Sequence, residues 1–73
     1  MSRTSKRWSY TAITNATEVK IIRYMTEARE TTDAAKRHML TCMAYGAYSG
    51  WYELTVGWQK DGDDQRLETL TRI

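Results

Sequence analysis

The stretch Asp33–Trp58, DAAKRHMLTCMAYGAYSGWYELTVGW, decides how the chain is read. It holds three of the four Met and Cys residues that follow Met1, and five of the eight aromatic residues. Its first half has a helical rhythm. Ala35, Met39, Cys42, Met43 and Gly46 recur at the spacing of one helix face, with Leu40 and Ala47 beside them. Asp33 is a good N-cap, and Gly50 can end a helix in the left-handed conformation. The spacing predicts a helix over 33–49, with Gly46 on its buried stripe. The second half has a strand rhythm: Tyr52, Leu54, Val56 and Trp58 alternate with Glu53, Thr55 and Gln59. The Met/Cys/Gly stripe and the Tyr52/Leu54/Val56/Trp58 face are the two expected halves of the core.

Working towards the N-terminus, Thr31-Thr32-Asp33 predicts a break, because short polar side chains compete for backbone hydrogen bonds. Ahead of it a helix is expected from Ala16 to about Glu30. Asn15 and Glu18 have the spacing of a capping box. Ile21, Ile22, Met25 and Ala28 fall on one side with Val19 at the margin, and Lys20, Arg23, Tyr24 and Glu27 face the other way. Residues 8–14, WSYTAIT, are β-branched and aromatic, and read as a short strand. Residues 1–7 carry Arg3, Lys6 and Arg7 and no acid, and read as a flexible basic arm.

Towards the C-terminus, Asp61-Gly62 predicts a tight hairpin turn. Residues 65–73 then return as a strand through Thr69, Thr71 and Ile73. Leu67 and Leu70, with Asp64 as a cap, would also suit a short helix; the hairpin signal favours the strand. The expected fold is therefore α+β: a short N-terminal strand, two antiparallel helices and a C-terminal β-hairpin, giving a small antiparallel sheet with helices on one face. Residues 8–73 form one domain.

A chain of 73 residues buries only about 60% of its unfolded surface, a thin margin that is compatible with a homodimer or an obligate partner and requires neither. One cysteine rules out an intramolecular disulfide. The net charge of +2 is too close to balance to imply nucleic acid by itself. No run of 18 apolar residues is present and the N-terminus lacks an apolar leader core, so no membrane partner and a cytoplasmic location are expected.

His38 and Cys42 stand one helical turn apart, as a Cys–His nucleophile requires, but no third orienting group or oxyanion-binding turn accompanies them. They supply two metal ligands where a closed site needs about four. Asp61, Asp63 and Asp64 open like a calcium loop, yet its twelfth position is Arg72. They read instead as an acidic docking turn. No catalytic residue, metal or cofactor is expected, and hence no enzyme.

The aromatic surplus carries the functional expectation. Arg37, Thr41, Tyr45 and Tyr48 lie opposite the Met/Cys stripe, and Trp51 points away from the apolar face of its strand. Tyr, Trp and Arg carry much of the binding energy at protein interfaces. The leading expectation is a non-enzymatic protein that docks these residues on a protein or nucleoprotein partner and inhibits or modulates it. Small accessory proteins of phages and mobile elements, including inhibitors of host defence, are chains of this type, and would act in the host cytoplasm.

A basic arm, a short strand, a helix, a Thr-capped turn and a second helix follow one another over residues 3–48. In element order this resembles the ribbon-helix-helix repressors. The resemblance implies a dimeric DNA-binding regulator whose paired strands enter the major groove, with Arg3, Lys6, Arg7, Trp8 and Tyr10 as the nucleic-acid contacts. The chain departs from that pattern in three ways. It lacks a glycine between the helices, adds an aromatic hairpin, and offers no Arg, Lys, Asn or Gln between Ser9 and Thr14 to read bases.

Overall fold

The computed structural model describes residues 9–72. The described residues form three helices: α1 (Tyr10–Glu30), α2 (Ala34–Thr55) and α3 (Asp63–Leu70). No strand occurs among them. The expected α+β fold, with its N-terminal strand and C-terminal hairpin, is overturned: the chain is an antiparallel helix pair with a short third helix packed on one side.

The expected strand at 8–14 is instead the first turn and a half of α1 for every described residue in it but the cap. Ser9 is extended, and its Oγ accepts from the Ala12 N–H at 3.0 Å. Tyr10, Ile13, Thr14 and Thr17 then fall at i, i+3, i+4 and i+7 on the side that meets α2. Seven residues of alternation are too few to outweigh that face. Asn15 sits inside the helix and caps nothing. Glu18 pairs instead with Arg66 at 2.6 Å, which ties α1 to α3. Trp8 and residues 1–7 lie outside the described residues, as does Ile73.

The break falls at 31–33, where the three polar residues stand. Asp33 Oδ1 accepts from the Ala35 and Lys36 N–H groups at 3.0 and 3.3 Å and starts α2. Gly50 does not end that helix, which runs on for another turn. The stop comes at Gly57, whose φ of +95° is the left-handed conformation expected just past a C-cap. Thr55 Oγ1 donates to the Trp51 carbonyl at 2.7 Å, and Gln59 Nε2 donates to Thr55 Oγ1 at 3.1 Å. The expected strand from Trp51 to Gln59 is thus the end of α2 and the loop that follows. Gly62 also uses a positive φ, +89°, but to enter α3 rather than to close a hairpin. Asp63 and Asp64 then lie in the first turn of α3, where the helix dipole favours acids.

The core inverts the reading of α2. Ile21 and Met25 on α1, Ala44, Tyr48 and Trp51 on α2, and Leu67 on α3 form one buried cluster, with Tyr10, Ile13, Tyr24, Ala47 and Leu70 packed against it. Leu40, Ala44, Tyr48, Trp51 and Thr55 follow one another at helical spacing and face α1. The stripe expected in the core faces outward: Met39 and Met43 are 54% and 42% exposed, and Cys42 and Gly46 are exposed as well. Tyr52, Leu54, Val56 and Trp58 are likewise exposed. The physical reason is area and polarity together. Tyr and Trp remove more apolar surface from water than Met and Cys do, provided their polar atoms find partners, and both do here. Trp51 Nε1–H donates to Thr14 Oγ1 at 2.9 Å, and the Tyr48 hydroxyl donates to Asp64.

Candidate functional site

Six of the eight aromatic residues form one connected chain. Trp58 meets Tyr10 edge-on at 5.6 Å between ring centroids, and Tyr10 meets Trp51 at 6.4 Å. Trp51 stacks on Tyr48 at 6.1 Å, and Tyr48 supports Tyr45 at 5.6 Å and Tyr52 at 6.2 Å. The chain is buried at its middle and exposed at both ends, with Trp58 51%, Tyr45 54% and Tyr52 40% exposed.

The five residues expected to bind a partner do not share one surface. Arg37 is half-buried, and its guanidinium donates to the Ala28 carbonyl at 3.1 Å and the Thr31 carbonyl at 2.7 Å. It caps the C-terminal end of α1, so its charge closes the turn between the helices. Thr41 Oγ1 donates back to the His38 carbonyl at 2.9 Å. Tyr48 and Trp51 are core residues. Only Tyr45 presents most of its ring to solvent.

Tyr45 has a neighbour that the sequence reading placed elsewhere. Tyr52, read there as a core residue on a strand, lies beside it on α2, and Tyr45, Tyr48, Ser49, Tyr52 and Glu53 line one shallow depression. Two exposed rings rest on the edge of one buried ring. The signal was present in the sequence: Tyr45, Tyr48 and Tyr52 stand at i, i+3 and i+7, one face of a helix that continues past Gly50.

The expected acidic docking turn is absorbed into the fold. Asp63 Oδ2 accepts from the Tyr10 hydroxyl at 2.7 Å, and Asp63 Oδ1 pairs with Arg66 at 3.2 Å. The Tyr10 hydrogen bond, seconded by Arg66, holds the Asp63 carboxyl below its ordinary value. Asp64 holds Tyr48. Burial first, then the hydrogen bond to Asp64 and its charge, push the Tyr48 phenol well above its ordinary value. Hydrogen bonds to Glu18 and Asp63 fix Arg66 more firmly in its charged form. Of the three aspartates, Asp61 alone is exposed, and Asp63 and Asp64 are half-buried.

Among the proposed nucleic-acid contacts, Arg3, Lys6, Arg7 and Trp8 lie outside the described residues. Tyr10 does not face solvent as a free ring. Its hydroxyl donates to Asp63 and accepts from the Lys60 N–H at 3.1 Å, and the Lys60 ammonium lies 5.5 Å from the ring centroid. Tyr10 therefore clasps the loop between α2 and α3. The paired ribbon that the repressor resemblance requires is not formed by Tyr10–Thr14, which is helix.

Cys42 Sγ and His38 Nε2 are 3.6 Å apart on the open surface of α2. No cluster of three or more metal-ligating side chains occurs among the described residues. No helix among the described residues is long and apolar enough to cross a membrane.

No protein-family model, curated protein or solved structure matches this sequence.

Proposed function

We propose that this chain is a non-enzymatic docking protein whose contact surface is the tyrosine ledge of α2, Tyr45 and Tyr52 resting on the edge of Tyr48. One observation carries the reading: two exposed rings are held in place by a third that is itself buried and fixed by Asp64. Rings already packed against a buried neighbour have less side-chain freedom to lose on contact, and tyrosine is among the residues that carry most of the binding energy at interfaces. The charge around the ledge indicates the partner. Glu53 lines it, and Asp64 and Glu68 lie close enough to act on the Tyr48 phenol. Such a ledge suits a protein surface bearing Lys or Arg, whose cations can sit over the rings, and it repels nucleic-acid phosphates. Occupying such a surface is how a small protein inhibits or modulates its partner.

The test is affinity capture from the source cell with the wild-type chain and with the double variant Tyr45→Ala/Tyr52→Ala. Both rings are largely outside the core, so the variant keeps its helical circular dichroism. The proposal expects a captured protein that the double variant loses. A partner retained equally by the folded variant refutes the ledge as the contact surface.

A further inference from the structure

The side of α2 that faces away from α1 and α3 is the one the core leaves unused. Met39, Met43, Gly46 and Gly50 fall within an arc of roughly 60° on that side. Met39 and Met43 are 54% and 42% exposed. No Asp, Glu, Lys or Arg stands between Arg37 and Glu53. A helix face turned to water ordinarily carries charges along such a span. The two glycines are unexplained by the monomer. Neither has a positive φ, and no other described part of the fold comes within 4 Å of where a Cβ would stand. Each weakens α2 relative to alanine, and the benefit of glycine here is the close approach of another backbone.

We propose that a second copy of this chain occupies this face, with α2 packed antiparallel against α2 about a two-fold axis between positions 44 and 45. This register sets Met39 opposite Gly50 of the second copy and Met43 opposite Gly46, and the symmetry repeats both pairs on the other side of the axis. Long flexible side chains meet vacancies at every crossing. The same register sets Lys36 at the level of Glu53 of the second copy, so the basic end of each helix lies over the acidic end of the other. A parallel pair would set like ends together. Neither Lys36 nor Glu53 is in an ion pair with a described residue, so both charges are available. The face is complementary to itself in shape and in charge, which is what an isologous interface needs and what a foreign partner would have to match separately. It shares Glu53 with the depression beside the tyrosines, while Tyr45 and Tyr52 lie off the Met/Gly arc, so a dimer would carry two ledges.

A contact confined to one pair of helices is at the small end of specific interfaces, so the dimer is expected to dissociate in the micromolar range. Sedimentation equilibrium from micromolar to millimolar concentration tests this on the full chain. The wild type is expected to follow a monomer–dimer equilibrium. Met43→Glu, at a position exposed in the monomer, is expected to raise the dissociation constant by roughly a hundredfold with its circular dichroism unchanged. At low salt Lys36→Glu is expected to weaken the dimer several-fold, and Lys36→Glu/Glu53→Lys to restore it. A wild type that stays monomeric at millimolar concentration overturns the proposal and leaves the face to a foreign partner. Equal dimerisation by Met43→Glu also overturns it. A double variant no tighter than Lys36→Glu overturns the antiparallel register.

Discussion

Trp51 carries the sharpest test of which side of α2 is the core. It is 2% exposed, lies between the rings of Tyr10 and Tyr48, and donates its indole N–H to Thr14, which is itself 3% exposed. Trp51→Phe keeps an aromatic ring but removes the N–H and part of the volume. Thr14 is left with a buried hydroxyl whose partner is gone, at a cost of about 1–3 kcal/mol. The smaller ring leaves a void that adds about 1 kcal/mol. The expected loss is therefore about 2–4 kcal/mol, set against a total stability of roughly 4–11 kcal/mol for a chain of this length. Urea unfolding followed by far-ultraviolet circular dichroism reads it. With a slope of about 1 kcal/mol per molar, the midpoint falls by roughly 2 M or more. Thr14→Val strands the indole N–H instead, and the double variant should cost less than the sum of the two. Met43→Ala, measured in dilute solution, should cost under about 0.5 kcal/mol as an exposed substitution. The reasoning is refuted if Met43→Ala costs as much as Trp51→Phe, or if Trp51 and Thr14 prove additive.

Three further outcomes follow from the same contacts. Tyr10→Phe removes a donor to Asp63 and an acceptor for the Lys60 N–H, so it should cost about 1–3 kcal/mol and deprotect the Lys60 amide in hydrogen exchange. Because the folded Asp63 carboxyl is held below its ordinary value, its contribution is complete above about pH 4 and is lost as pH falls further; because the folded Tyr48 phenol is raised, its contribution is complete below about pH 10 and is lost as pH rises further. Unfolding titrations of Asp63→Asn and Tyr48→Phe should flatten the acid and alkaline limbs respectively. Gly57→Ala forces a methyl group onto a residue at φ +95° and should lower stability by about 1 kcal/mol or more, whereas Gly50→Ala in the dilute monomer should raise it by up to about 1 kcal/mol; thermal melts compare the two.

Much of α1 and the turn after it was legible in the chain. Ile21, Met25 and Ala28 are buried where their spacing puts them, and Asp33 caps α2 as a short acid before a helical run should, but Ile22, expected beside them, is exposed and Tyr24, expected on the outward side, packs against the core. Those signals are local. The strand readings failed because period-two alternation over seven to nine residues competes with tertiary packing, and packing won at both ends. Tyr10 is drawn into the helix by the face it shares with Ile13 and Thr14. Leu67 and Leu70 are drawn into α3 by the core that α1 and α2 leave open at one side. The tyrosine ledge was half visible for the same reason: Tyr45 was read on an outward face, but Tyr52 joins it only if α2 runs through Gly50.

The sequence by itself determined that there would be helices on both sides of Thr31–Asp33, that the chain would turn at Asp61-Gly62, and that aromatic residues would exceed what one small core takes; it placed the end of α2 at Gly50, whereas the positive-φ glycine that follows α2 is Gly57. It could not determine which side of α2 faces inward, because both sides are apolar. One side offers Met, Cys and Gly; the other offers Leu40, Ala44, Tyr48 and Trp51. Hydropathy along the chain does not separate them. The tertiary structure does, because burying Tyr and Trp is favourable only where distant residues accept their polar hydrogens. Thr14 stands 37 residues from Trp51, and Asp64 stands 16 residues from Tyr48. Once those partners are in place the aromatic side turns in, and the Met/Gly side is left outside.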